Sequence, residues 1–130
     1  MLKNIIERLQ LQTRVQFAEP VYEIKEKIDK IDSASLYVLP SRVEGMPQSL
    51  IEAMARKKIV IGSDSVAIRD IIQNGKNGYL FEFDNPKSLA EKINLALSSD
   101  NEQIQKAAGK SVEDFSWDKI ISKIEKVISS

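Results

Sequence analysis

The fold of this chain is decided by the stretch Leu36-Tyr37-Val38-Leu39-Pro40-Ser41-Arg42-Val43-Glu44-Gly45-Met46-Pro47-Gln48-Ser49-Leu50-Ile51-Glu52-Ala53-Met54. Its first four residues form an apolar run closed by a proline, which is typical of a short buried strand. Pro47 suits the first turn of a helix, where its missing amide hydrogen costs nothing. Apolar residues then recur at helical spacing at Leu50, Ile51 and Met54. The stretch therefore predicts a buried strand, a loop and a helix from about Gln48 to Arg56.

The same alternation of strand and helix continues on both sides of this stretch. The predicted elements are, in chain order, a helix around Ile5–Leu9, a strand Val15–Phe17, a helix Val21–Ile31, the strand Leu36–Leu39, the helix from Gln48, a buried strand Ile59–Ile61, a helix Val66–Ile72, a strand Tyr79–Phe83, a helix from Pro86 and two further helices. Asn74-Gly75 and Asn77-Gly78 mark turns that need positive φ. This order predicts an α/β, Rossmann-like parallel sheet with helices on both faces.

Composition and charge exclude several classes of protein. The 130 residues are 42% hydrophobic and 29% charged, which suits one packed domain and argues against a disordered chain. Lys plus Arg equals Asp plus Glu at 19 each, so the chain lacks the positive field of a nucleic-acid binder. The absence of Cys and His removes disulfides, thiolate chemistry and an imidazole base. Because no signal peptide or transmembrane segment is evident, a cytoplasmic protein is expected.

The loop and the helix start that follow the first apolar run form the candidate binding site. In parallel sheets, ligands settle at the carboxyl ends of strands, where helix N-termini point free amides outward. Gly45 allows a close backbone approach, and Pro47 fixes the helix start. The amides near Gln48, Ser49 and Leu50 are then left for a phosphate. This pattern predicts an anion site that needs no lysine.

Two carboxylates flank the predicted anion site, Glu44 in the loop and Glu52 about a turn into the helix. A carboxylate accepts hydrogen bonds from two adjacent hydroxyls at once, which suits it to a sugar ring. Glu52 can hold a ribose and Glu44 a hexose. Taken singly, each acid is more often a solvated surface residue, so only the joint pattern favours a site.

The Glu44-x7-Glu52 spacing resembles the Glu-x7-Glu signature of the family 4 (group 1) glycosyltransferases, which have the two-domain GT-B fold. The matching residues are Val15-Gln16-Phe17, Pro40-Ser41, Glu44-Gly45, Pro47, Glu52-Ala53-Met54, Gly75, Gly78-Tyr79-Leu80 and Phe115-Ser116-Trp117. The resemblance covers nearly the whole chain. It implies the C-terminal, donor-binding domain of such an enzyme.

The resemblance further implies retaining transfer from a nucleotide-diphosphate sugar to a saccharide or lipid-linked acceptor, in bacterial polysaccharide or glycolipid synthesis. Glu44 is then the catalytic residue and contacts the transferred sugar, while Glu52 grips the ribose. The implied donor-binding residues are Glu44, Gly45, Met46, Pro47, Gln48, Ser49, Leu50 and Glu52. No metal, and no cofactor besides the donor substrate, is implied.

Only one half of such an enzyme is matched. Residues 1–130 are interpreted as a single nucleotide-sugar-binding domain that is incomplete at its N-terminal edge and lacks the acceptor domain. An N-terminal acceptor-binding domain or chain is therefore the expected partner, and the isolated chain is expected to be inactive. Membrane association is expected only peripherally, through the full enzyme. The family's first βα unit, which supplies an Arg and a Lys to the donor phosphates, has no counterpart here.

Two shorter segments depart from the family pattern. Lys57 stands where the family more often has a helix-capping glycine, so the helix is expected to end differently. Val66 and Ala67 replace paired glycines that commonly face the donor, and they are expected to crowd it. For Lys57 and Lys58 a structural role at the helix end is preferred to phosphate binding, and Arg42 is a candidate for either role.

Functions other than catalysis are also considered. A non-catalytic nucleotide-binding remnant or interaction module is consistent with the missing phosphate cations. A phospho-receiver is disfavoured, because its clustered acids and late-strand lysine are absent from the sequence. The C-terminal stripe, whose helix is capped by Ser116, is interpreted as a packing surface in preference to an aromatic sugar platform. The resemblance implies that the final helix lies against the other domain, and an exposed stripe favours self-association. The stripe comprises Trp117, Ile120, Ile121, Ile124, Val127 and Ile128.

Overall fold

The structure is a computed structural model that describes residues 1–129, except for the side chain of Trp117. Its strands are β1 Leu36–Leu39, β2 Ile59–Ser63 and β3 Tyr79–Phe81, which form one parallel sheet in the order β1-β2-β3. Its helices are α1 Leu2–Arg8, α2 Ile24–Ser33, α3 Gln48–Ala55, α4 Val66–Arg69, α5 Pro86–Ser98, α6 Glu102–Ser111 and α7 Trp117–Ile128, with a 3₁₀ helix at Glu113–Phe115. Parallel strands need crossover connections, and α3 and α4 supply them. The strand predicted to reach Phe83 ends two residues earlier.

The hydrophobic core lies on both faces of the sheet. Val60 and Ile61 are neighbours on β2, so their side chains point to opposite faces. Val60 belongs to a cluster with Leu50 of α3 and Ile68 of α4. Ile61 belongs to a second cluster that includes Ala96 of α5. Helices therefore cover both faces, and the predicted α/β, Rossmann-like class is confirmed.

Strand β1 has the predicted bounds, but it is half-buried, not buried as predicted. It pairs only with β2, in a register that sets Leu36 opposite Ile59 and Leu39 opposite Gly62. Within residues 1–129, no strand lies on its other edge. Strand β2 lies between two strands and is almost completely buried. Burial thus depends on position in the sheet, which the apolar run does not specify.

The predicted strand at residues 15–17 is wrong. This segment has no regular structure, and its two apolar side chains, Val15 and Phe17, are 42% and 55% exposed. A strand needs a neighbour to complete its backbone hydrogen bonds. None of the three described strands pairs with this segment, so the local preference for a strand has no pairing partner.

The connection between α4 and β3 uses two glycines for different reasons. Helix α4 ends at Arg69, before the predicted end at Ile72. Gly75 has a φ of +78°, as predicted for its turn. Gly78 does not have a positive φ, so that part of the prediction is wrong. A Cβ at Gly78 would lie 2.7 Å from Cγ2 of Val60, so close packing against β2 requires glycine there.

Helix α7 begins as predicted, because the Lys119 amide donates to the Ser116 side chain at 3.4 Å. The stripe predicted to be a packing surface is largely exposed, with Ile121 at 48% and Ile124 at 52%. The packing predicted for Trp117 lies outside the described residues. Throughout the part of the chain that the structure describes, no helix combines the length and apolar character needed to cross a membrane.

Candidate functional site

Helix α3 holds the candidate site in place. Its first residue is Gln48, as predicted, and Pro47 precedes it as a buried N-cap residue with a φ of −79°. The side chains of Leu50, Ala53 and Met54 are fully buried against the sheet. This packing fixes the helix axis, so residues on its other sides have defined positions.

The start of α3 has fewer free amides than predicted. The amide of Gln48 donates to the carbonyl of Met46 at 2.9 Å, and that of Leu50 donates to the carbonyl of Pro47 at 3.1 Å. Such short-range bonds commonly tighten a helix terminus. Among the described residues, only Ser49 of the three predicted amides is left without an acceptor. The predicted anion site is therefore reduced to one open amide in this conformation.

Tyr37 joins β1 to this helix start. Its hydroxyl donates to the Ser49 side-chain oxygen at 2.5 Å. Burial raises the pKa of Tyr37, the bond to Ser49 opposes that rise, and the negative charges of Glu44 and Glu52 add to it. The two acids therefore lie close enough to act on one phenol, and the structure brings them to the same corner.

Tyr37 was not recognised as a site residue from the sequence. A tyrosine inside an apolar strand reads as packing, although a buried phenol usually needs a hydrogen-bond partner. Its partner lies twelve positions away on the next helix. That requirement was the one signal that could have identified it.

Glu52 lies on α3, and its carboxylate contacts a lysine that the sequence did not suggest. The Nζ of Lys27, on α2, is 2.7 Å from Oε2 of Glu52. About two-fifths of each side chain is exposed. Because α2 and α3 are separated by a strand, no motif spacing could have indicated this pair.

Glu44 is half-buried in the loop between β1 and α3. In residues 1–129, no group forms a hydrogen bond or ion pair with its carboxylate. The acid is thus available to a ligand, which agrees with the prediction but does not test it. Residues 1–129 contain no cluster of metal-binding side chains. That the site works without a metal stays a prediction.

The predicted site residues that line a concave surface are distributed over two separate ones. A groove of about 610 Å³ runs along α3 toward α6 and has Glu52 in its wall. A smaller depression of about 180 Å³ is lined by Gly45, Met46 and Pro47. Phe115 lines both, whereas Glu44 lines neither. Among the atoms that the structure describes, a Cβ at Gly45 would meet none within 4 Å, so this part of the loop leaves open space for a ligand.

The end of α3 differs from the expectation. Lys57 adopts a φ of +56°, the left-handed conformation that glycine favours at this position. Its amide donates to the Met54 carbonyl at 2.9 Å, and the Lys58 amide donates to the Ala53 carbonyl at 3.0 Å. These are the paired bonds of a Schellman motif. The helix therefore ends as it would with glycine, and the expectation of a different ending is wrong.

The basic residues near α3 have structural partners. Lys58 donates through Nζ to the carbonyls of Asp32 and Ala34, at 2.7 and 2.9 Å, at the end of α2. These contacts support the structural role preferred for Lys58, whereas that of the Lys57 side chain stays a prediction. Arg42 places its guanidinium 5.8 Å from the centre of the Phe83 ring, a cation–π contact.

The segment after β2 lies beside the depression. Val66 is 70% exposed at the start of α4, while Ala67 lines the depression. Asp64 pairs with Arg69 at 3.3 Å. The Ser65 hydroxyl is buried without a hydrogen-bond partner in the described residues. Crowding of a ligand by Val66 and Ala67 stays a prediction.

Comparisons with known proteins agree with the fold and the motif. The family model described as glycosyl transferases group 1 matches residues 1–115. An uncharacterized glycosyltransferase of Methanocaldococcus jannaschii is 33% identical over 98% of this chain and 35% of its own length. The N,N'-diacetylbacillosaminyl-diphospho-undecaprenol alpha-1,3-N-acetylgalactosaminyltransferase of Campylobacter jejuni is 30% identical over 72% of this chain and 25% of its own length.

A solved glycosyltransferase structure has a similar fold. A variant of TarM from Staphylococcus aureus, in complex with fondaparinux, alpha-GlcNAc-glycerol and UDP, is 27% identical with a TM-score of 0.84. The match covers 99% of this chain and 26% of that one. The fold is that of one domain of a GT-B glycosyltransferase.

The chain belongs to the group 1 glycosyltransferase family. This confirms the resemblance inferred from the Glu-x7-Glu motif. The chain spans about a third of the length of its relative from M. jannaschii.

Proposed function

We propose that this chain binds the nucleotide-diphosphate sugar donor of a retaining glycosyltransferase. In this proposal Glu52 accepts hydrogen bonds from the ribose, the start of α3 receives the diphosphate, and Glu44 contacts the transferred sugar as the catalytic residue. The remaining donor contacts come from Gly45, Met46, Pro47, Gln48, Ser49 and Leu50. No metal or cofactor takes part.

The observation that carries the proposal is the position of the two acids around the start of α3. The negative charges of both acids raise the pKa of Tyr37, and the Tyr37 hydroxyl donates a hydrogen bond to the Ser49 side chain. The backbone amide of Ser49 has no acceptor among the described residues. Two carboxylates near a free amide at a helix start suit a ligand that carries both sugar hydroxyls and an anion. A nucleotide sugar has that chemistry.

The relatives support the class of ligand and acceptor. TarM was solved with UDP, which makes a uridine nucleotide a reasonable first probe. The Campylobacter relative bears the name of a transferase with a diphospho-undecaprenol-linked saccharide. We extend this to a saccharide or lipid-linked acceptor in polysaccharide or glycolipid synthesis. An N-terminal acceptor domain is proposed as the partner, since the chain spans only part of its relatives.

Calorimetric titration with UDP and, separately, GDP tests donor binding. Saturable binding of at least one nucleotide is expected, while failure of both would contradict the proposal. Retention is tested by the anomeric configuration of product, read by proton NMR once an acceptor domain is supplied. An inverted product would refute that part.

A binding module without turnover is the second candidate. It is favoured by the engaged amides of Gln48 and Leu50, because they leave a smaller anion site than an active enzyme of this design would use. Transfer assays separate the two candidates. If the chain binds a nucleotide but stays inactive even with an acceptor domain and saturating donor, the module is the better description.

A further inference from the structure

Lys27 lies outside every motif used above, yet its ammonium is the charged neighbour of Glu52. Its Nζ is 2.7 Å from Oε2 of Glu52, an ion-pair distance, although the direction is not that of a hydrogen bond. That oxygen is shielded from solvent. A shielded carboxylate oxygen has lost hydration, and a cation at this distance offsets part of that loss. The pair therefore favours one orientation of the Glu52 carboxylate.

The charge at this corner also depends on Lys27. The two acids raise the pKa of Tyr37, and Lys27 lowers it, so all three charged groups lie near the same hydroxyl. Lys58 and Arg42 have partners elsewhere, since Lys58 binds carbonyls of α2 and Arg42 stacks on Phe83. Lys57 and Lys110 line the groove that has Glu52 in its wall, but Lys27 is the cation that acts on the Tyr37 hydroxyl. Two uncompensated carboxylates would repel an incoming diphosphate. Lys27 reduces that repulsion.

We propose that Lys27 is a positioning residue for nucleotide binding. It holds the Glu52 carboxylate in the orientation that receives the ribose, and it offsets the negative charge of that carboxylate where the diphosphate arrives. Oε1 of Glu52, which has no hydrogen-bond partner in the described residues, stays available to a hydroxyl. This inference rests on the proposed function, because it assigns Lys27 a role toward the same ligand.

The test is a calorimetric titration with UDP of the wild-type chain, Lys27→Met, Lys27→Arg and Lys25→Met. Lys25 lies on the same helix, is 84% exposed and pairs with Asp29 at 3.4 Å, so its variant removes the same charge away from the site. Lys27→Met is expected to weaken UDP binding about tenfold, the size of a lost charge-assisted contact. Lys27→Arg is expected to stay within about threefold of wild type, and Lys25→Met to leave affinity unchanged.

A double-mutant cycle with Glu52→Gln separates positioning from an independent effect. If Lys27 acts through Glu52, adding Lys27→Met to Glu52→Gln causes no further tenfold loss. Fully additive losses would overturn the proposal, as would equal losses in Lys27→Met and Lys25→Met. Urea unfolding checks that each variant is folded, and little loss of stability is expected because about two-fifths of each side chain is exposed.

The outcomes for the two proposals differ. If wild type binds UDP and Lys27→Met binds it equally well, the role of Lys27 is refuted and the proposed function stands. If wild type binds neither UDP nor GDP, the proposed function fails and the role of Lys27 fails with it.

Discussion

Replacing Lys57 with glycine should stabilise the protein. Lys57 has a φ of +56° at the end of α3, and its Cβ is crowded in that conformation. Glycine removes this strain, which costs a non-glycine residue about 1–2 kcal/mol. This gain is opposed by a packing contact, because the aliphatic part of the Lys57 side chain lies against Gly109. A Cβ built on Gly109 would lie 3.1 Å from Cγ of Lys57. Loss of that contact and the greater conformational freedom of glycine in the unfolded chain together reduce the gain in stability by about 1 kcal/mol.

The net gain expected for Lys57→Gly is about 0.5 kcal/mol, or about 2 °C in Tm for a chain of this size. Urea unfolding followed by far-UV circular dichroism measures the free energy of unfolding. Lys57→Ala is the matched control, because it removes the stem and keeps the Cβ. It should destabilise the protein by about 0.5 kcal/mol.

The gap between the two variants, about 1 kcal/mol, isolates the backbone conformation from the side-chain contact. If glycine and alanine change stability equally, the strain assigned to Lys57 does not exist. A lower stability of Lys57→Gly than of Lys57→Ala would refute the reasoning even more directly.

Three further predictions concern the site, the pH dependence and the last helix. Glu52→Ala should weaken UDP binding by about 1–3 kcal/mol in calorimetry, the range for charge-assisted hydrogen bonds. The control Glu91→Ala, at an exposed position on α5, should leave the affinity unchanged. Equal affinities of Glu52→Ala and wild type would exclude a ribose role for Glu52. The Arg56 guanidinium holds the pKa of Asp32 below its ordinary 3.8, so the stabilisation from this pair is complete above that value and is lost as pH falls through the lowered pKa. Urea titrations of wild type and Asp32→Asn should therefore converge in acid, and a difference independent of pH would disprove the linkage. Ile124→Lys should reduce self-association through the exposed face of α7, and unchanged sedimentation at high protein concentration would contradict that prediction.

Much of the candidate site could be predicted from the sequence because its motif is local. The loop and α3 are contiguous, and Pro47 and the apolar positions behind it specify where the helix begins. Glu44 and Glu52 were identified on that basis and are brought to one corner. The motif did not reveal that two of the three amides are engaged, because short-range bonds at a helix start depend on the exact loop path.

Tyr37 and Lys27 were missed for another reason. Each meets its partner across elements, Tyr37 on the strand and Lys27 on the preceding helix. A pair of this kind has no fixed sequence spacing, unlike contacts within one helix. Only the packing of α2, β1 and α3 against each other defines it.

Apart from the segment at residues 15–17, the sequence by itself determined the order of helices and strands, the parallel class of the sheet and the start of α3. These follow from periodicity and from residues that act on their own backbone. The tertiary structure alone decided which apolar segments are buried. Val15 and Phe17 alternate as a strand would but have no described strand to pair with, and β1 is half-buried because it pairs on one side. Strand pairing and burial require a second surface, and a local pattern carries no information on whether that surface is present.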